Sequence, residues 1–177
     1  VSDGELTTSD GTLVRVFEPS VDPFDITIRP NGSMTSSQLA AFTAAAQRWA
    51  RVIRTGLPDG TVAVEADECD DGAPAYTGPV DDLVIEAIIT PIDGPDGILG
   101  AAGPCLVRSS GGLPAYGIMQ FDSADVAMLE ADGSFTTVVL HEMAHVLGFG
   151  SVAGWRAILD GAGTANPTFD GAVARAA

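Results

Sequence analysis

The sequence predicts an α/β (α+β) fold: a twisted mixed sheet backed by one long helix and by a second helix that carries paired histidines. Three observations predict it. Several short stretches alternate apolar and polar residues or run continuously apolar over about four to eight residues, which is the pattern of strands. One stretch near the N-terminal third repeats its apolar positions at three and four, the helical period. Histidine occurs only twice in the 177 residues, and both copies stand four positions apart, just ahead of a glycine.

The elements follow in order. Residues 1–23 are polar, with Pro and Asp around the apolar run Leu13-Val14-Arg15-Val16-Phe17, and read as an arm able to pair one strand. Residues 24–29 alternate with period two and end at Pro30, a strand. Met34-Thr35-Ser36-Ser37-Gln38 caps a long helix reaching about Arg54. Its apolar side is Leu39, Phe42, Ala46, Trp49, Val52 and Ile53, and Arg48, Arg51 and Arg54 take the solvated face. Residues 61–66 form the next strand, so that strand, helix and strand make a right-handed βαβ unit the default. Residues 67–79 read as loop, residues 83–90 as a strong strand, and residues 91–110, rich in Gly and Pro, as a second loop. Residues 115–121 form a further strand. Residues 122–130 form a short helix capped by Asp122 or Ser123, and a last helix covers residues 134–147.

That last helix contains His141-Glu142-Met143-Ala144-His145. Four residues are a little over one helical turn, so both imidazoles project from one face, about 5–6 Å apart at Cβ. Two nitrogen donors at that spacing suit one tetrahedral Zn²⁺. Glu142, next to the first donor, is placed to take a proton from an attacking water as general base. A His pair on an amphipathic helix can also be a satisfied structural pair. Three local features favour the metal site: residues 135–140 are apolar on one side, Asp132-Gly133-Ser134 offers an N-cap, and Gly148 stands where a left-handed glycine would stop the helix.

Composition bounds the alternatives. The length fits one domain with an appendage at most. No apolar run approaches the roughly 20 residues needed to span a bilayer. No charged-then-apolar leader opens the chain, as expected of a mature form. The net charge of −16, with all basic residues arginine, argues against nucleic acid and anionic membranes as partners. Cys69 and Cys105 are the only cysteines and have no metal-ligand spacing, so a disulfide in an extracellular protein is their expected use. The acidic loops at residues 67–72 and 93–97 offer oxygen ligands of the type Ca²⁺ takes, although neither has the EF-hand spacing and solvated acidic turns account for them as well.

The stretch His141-Glu142-Met143-Ala144-His145-Val146-Leu147-Gly148-Phe149-Gly150 resembles the active-site helix of the leishmanolysin-like metallopeptidases, a metzincin family. Residues 83–90, Ile92-Asp93-Gly94-Pro95, residues 117–125 and Asn166-Pro167-Thr168-Phe169 resemble secreted bacterial members, so that the likeness spans roughly residues 24–171. The resemblance implies a metzincin-like N-terminal subdomain over residues 24–150, with residues 151–177 opening a lower subdomain. It implies His141 and His145 as zinc ligands, Glu142 as catalytic base and Gly148 as the turn beneath the metal. It also implies Gly117-Ile118-Met119-Gln120-Phe121 as the edge strand on which a substrate peptide lies antiparallel.

The chain departs from the family pattern after the glycine. Compact metzincins place a third His or Asp three residues on, where this chain has Ser151. No His, Met or Glu follows the motif, and Asp160 and Asp170 are the only side-chain carboxylates there. The expectation is therefore the N-terminal part of a longer secreted zinc endopeptidase, its third ligand further along the protein or on a separate chain, with Asp160 or Asp170 as a substitute ligand the lesser alternative. The chain after Gly148 is expected to be poorly anchored by itself. The rival expectation is a non-catalytic zinc-binding or adhesion module with a decayed site.

Overall fold

The computed structural model describes residues 5–7, 13–15 and 22–171. The expected N-terminal arm falls largely outside them; within it β1 (Glu5–Thr7) and β2 (Leu13–Arg15) pair antiparallel with each other.

The central sheet has four strands in the order β3-β6-β8-β7. They are β3 (Ile26–Asn31), β6 (Leu83–Thr90), β8 (Pro114–Asp122) and β7 (Gly100–Val107). The first three run parallel and β7 runs antiparallel to β8, so the sheet is mixed as expected. The period-two logic explains its two faces. Leu83, Ile85 and Ala87 of β6 and Met119 and Phe121 of β8 point to one side, where helices cover them. Val84 and Ile88 of β6 and Tyr116 and Ile118 of β8 point to the other, where Val64 and Val80 of a separate hairpin, β4 (Gly60–Val64) with β5 (Tyr76–Val80), close over them. Glu86 is buried on that second face and is compensated by the Arg29 guanidinium at 3.1 Å, which itself lies over the Tyr76 ring.

The helical layer holds α1 (Ser36–Val52), α2 (Ser123–Ala131) and α3 (Phe135–Val146). Thr35 and Gln38 form a reciprocal capping box at the start of α1, and the Asp122 side chain caps α2 by accepting from Ala124 N–H. Phe42, Phe121 and Phe135 meet edge to face at the centre of this layer, one ring each from α1, β8 and α3.

Four expectations need correction. First, β4 is not the parallel neighbour of β3; β6 is, and β4 pairs antiparallel with β5. Second, the two presumed loops each contain a strand, β5 in residues 67–79 and β7 in residues 91–110. Third, Gly117-Ile118-Met119-Gln120-Phe121 does not form an edge: β8 is hydrogen-bonded to β6 on one side and to β7 on the other, and β7 is the edge on that side. Fourth, α1 buries Ala41, Phe42, Ala45 and Ala46, while Leu39 and Val52 are exposed at 37% and 65%. The buried stripe is rotated toward the alanines, which let α1 lie close to the sheet. The described chain after Gly148, expected to be poorly anchored, buries none of its residues. It forms α4 (Ala153–Ala157) and a short hairpin of β9 (Leu159–Asp160) with β10 (Thr168–Phe169), and its aromatic rings stack back toward α1.

The disulfide is present. Cys69 and Cys105 have Cα atoms 5.4 Å apart, within the usual bridging range. It ties the acidic loop after β4 to the edge strand β7.

Candidate active site

The site is built on the last two turns of α3. Val139, Met143 and Val146 are fully buried and glue one side of the helix to the sheet. The opposite side carries His141, Glu142 and His145, which are exposed or half-buried. The approach is close because β8 has Gly117 at the contact: a Cβ there would sit 2.4 Å from Val146 Cγ1 and 2.7 Å from the Gly103 carbonyl oxygen. Sheet and helix thus meet with backbone on one side, and this fixes the height of the histidines above the sheet.

The two imidazoles lie with ring centroids 5.0 Å apart and planes at 84°. His145 Nδ1 is 2.8 Å from the Phe149 carbonyl oxygen. A carbonyl can only accept, so Nδ1 carries the proton, and in the neutral ring Nε2 is then the nitrogen left to bind a metal. Burial pushes the Glu142 carboxyl above its ordinary value, opposed by the neighbouring His141 and His145.

Gly148 adopts φ +107°, outside what other residues accept easily, and turns the chain off the helix. Ser151, three residues after Gly148, donates its hydroxyl to the His145 carbonyl at 2.6 Å and so closes the helix end. Asp160 lies in β9 and Asp170 follows β10; neither forms a three-donor cluster with the histidines. Among the described residues the one group of three whose carboxylate oxygens lie within 4.8 Å of one another is Asp25, Asp81 and Asp82, which belongs to the start of β3 and the β5–β6 turn. The acidic loops use their carboxylates internally: Asp67 accepts from Gly72 N–H, and Asp93 from Ile98 N–H.

The edge strand β7 runs beside α3. Between its far end and the segment after Gly148 lies an apolar cleft of about 550 Å³, walled by Val107 and Leu113 on one side and by Leu147, Phe149 and Trp155 on the other. Sequence reading missed β7 because its Gly and Pro content resembles a loop. The signal was there in Pro104 followed by Cys105-Leu106-Val107, since a proline inside an apolar run marks an edge strand. Pro30 marks the opposite edge, β3, in the same way.

A sequence profile of the leishmanolysin family matches residues 62–157, more than half of the chain. The chain belongs to the leishmanolysin family. No individually curated protein matches it. The match runs from β4 through α4 and so includes the edge strand, the disulfide and the whole His-Glu-His helix. Membership makes this a metallopeptidase-family fold with a mixed sheet and helical layer of the N-terminal subdomain type. Leishmanolysin-family enzymes are in general zinc-dependent and extracellular or surface-located, which the disulfide fits. No helix among the described residues is long and apolar enough to cross a membrane.

Proposed function

We propose that the protein is a secreted zinc endopeptidase in which His141 and His145 hold the metal and Glu142 is the general base. One observation carries this reading: α3 presents both imidazoles on one face, with the half-buried Glu142 beside them, next to β7, which among the described residues pairs only with β8. The donor set fits zinc, being two imidazoles one turn apart, the second with its Nδ1 engaged by a backbone carbonyl. Zinc, when bound there, supplies polarisation of the scissile carbonyl and a water of lowered pKa.

The chain's own residues supply the rest. β7 offers its free edge to an extended peptide, so main-chain hydrogen bonds position the scissile bond with little demand on sequence. The cleft walled by Val107 and Trp155 favours a large apolar side chain on that peptide. Glu142 takes the proton of the attacking water and passes it to the leaving amine nitrogen. Catalytic zinc sites use three protein ligands, so the third donor comes from outside the described residues, on this polypeptide or on a separate chain. In this reading residues 24–150 are the upper catalytic subdomain, residues 1–23 an arm, and residues 151–177 the start of the lower subdomain.

The test is Glu142→Gln in the complete enzyme. Zinc content is expected to stay at the wild-type level, and peptide hydrolysis to fall on the order of 10²–10⁴-fold. Full activity in the variant would refute the base assignment. The second reading, a non-catalytic zinc-binding or adhesion module with a decayed site, is favoured by the absence of a third donor beside the two histidines among the described residues. It requires that the complete wild-type protein bind zinc and cleave no peptide.

A further inference from the structure

We propose that Phe149 is a positioning residue for His145, clamped by a run of four aromatic rings that joins α1 to the segment beyond α3. The inference rests on the zinc-site reading above for its purpose, and on geometry for its substance.

The Phe149 carbonyl, 2.8 Å from His145 Nδ1, favours the neutral tautomer that leaves Nε2 open. That carbonyl lies beyond the helix, one residue after the left-handed Gly148, where the regular hydrogen-bond ladder no longer fixes the backbone. Two things hold it instead. The Phe149 N–H donates to the Ala144 carbonyl at 2.9 Å. The Phe149 ring packs between two indoles, Trp49 at 5.4 Å and Trp155 at 4.9 Å between centroids. Trp155 in turn meets Phe169 at 4.5 Å, which extends the run to β10.

Trp49 gives the run its purchase on the site. Its Nε1–H donates at 3.2 Å to the carbonyl of Leu140, the residue just before His141. One indole therefore touches the helix at the first histidine and the turn that orients the second. Phe149 is 39% exposed and lies outside both buried clusters. A ring 39% exposed contributes little core burial; besides walling the apolar cleft, it is placed to hold the carbonyl that meets His145. The second ring nitrogen of a metal-ligating histidine is usually held by such an acceptor, and loss of the acceptor weakens metal binding.

The experiment compares the wild-type protein with Phe149→Ala, Phe149→Tyr and Trp155→Ala. Long-range ¹H–¹⁵N spectra of the zinc-free proteins read the tautomer directly, and only two histidines are present to assign. Zinc affinity is read separately by competition with a chromophoric chelator, using Zn²⁺ alone. The wild-type protein is expected to show His145 as the Nδ1–H form. Phe149→Ala and Trp155→Ala should populate the Nε2–H form and weaken zinc about 10–100-fold. Phe149→Tyr, which keeps ring and carbonyl, should match wild type in both. A ring with a merely structural role would lower thermal stability in the alanine variants and leave both readouts unmoved. Phe149→Ala that folds by circular dichroism, keeps the Nδ1–H form and binds zinc within about twofold of wild type overturns the proposal. If that variant does not fold, Trp155→Ala decides by the same two readouts. If wild type itself binds no zinc, the zinc reading fails, while the tautomer result still decides this one.

Discussion

Gly117→Ala isolates the contact that sets the active-site helix on the sheet. Alanine is ordinarily the better strand residue, because it restricts the unfolded chain, and such a change at a tolerant site stabilises by about 0.4–1 kcal/mol. Here the added Cβ would stand 2.4 Å from Val146 Cγ1 and 2.7 Å from the Gly103 carbonyl oxygen. Carbon atoms in contact need about 3.5 Å, so the helix side is short by about 1 Å. The Gly103 oxygen belongs to the paired neighbouring strand and cannot rotate away. Val146 is fully buried and has no open space into which to turn. Overpacking therefore outweighs the backbone gain, and a net loss of about 1–3 kcal/mol is expected. For a domain of this size that is roughly 2–12 °C in Tm. The assay is thermal and urea unfolding of the zinc-free protein, with Gly103→Ala as the control, because a Cβ at Gly103 meets nothing within 4 Å. The control should match or slightly exceed wild type. Adding Val146→Ala to Gly117→Ala should recover part of the loss, giving a cycle that is less than additive. A Gly117→Ala protein as stable as its Gly103→Ala counterpart would refute the close-approach argument.

Two further predictions follow from the fold. Reducing the Cys69–Cys105 bridge, which spans 36 positions, should lower unfolding stability by about 4 kcal/mol on the chain-entropy account, seen as a lower urea midpoint with reductant; an unchanged midpoint would show that the edge strand does not depend on it. The Asp122 carboxylate is held below its usual range by the Ala124 N–H and, against the opposing effect of burial, by the N–H groups of Asp93, Gly94 and Ile92. A depressed carboxyl contributes stability that is complete above its unfolded value, near 3.9, and is lost as pH falls through the folded one. Acid unfolding of wild type below about pH 4 should thus be steeper than that of Asp122→Asn, and parallel curves would contradict this role.

Local chemistry was legible in the residues alone. The His-Glu-His spacing, the capped helix start at residues 34–38, the helix cap at Asp122 or Ser123, the glycine stop at Gly148 and the strand at Leu83–Thr90 each depend on neighbours within a few positions, and each stands where the sequence put it. Tertiary structure alone decided what depends on distant partners. Periodicity at three and four is satisfied equally by a stripe through Leu39 and Val52 and by one through Ala41 and Ala45; contact with the sheet chose the alanines. Period two shows that residues 115–121 form a strand, but not how many sides are paired, so the free edge passed to β7, whose glycines and proline hide it in sequence. The clamp on His145 joins Trp49 to Phe149 and Trp155, residues a hundred positions apart in the chain. No local pattern encodes that meeting, because it arises only when burial of α1 and α3 against one sheet face brings their ends together.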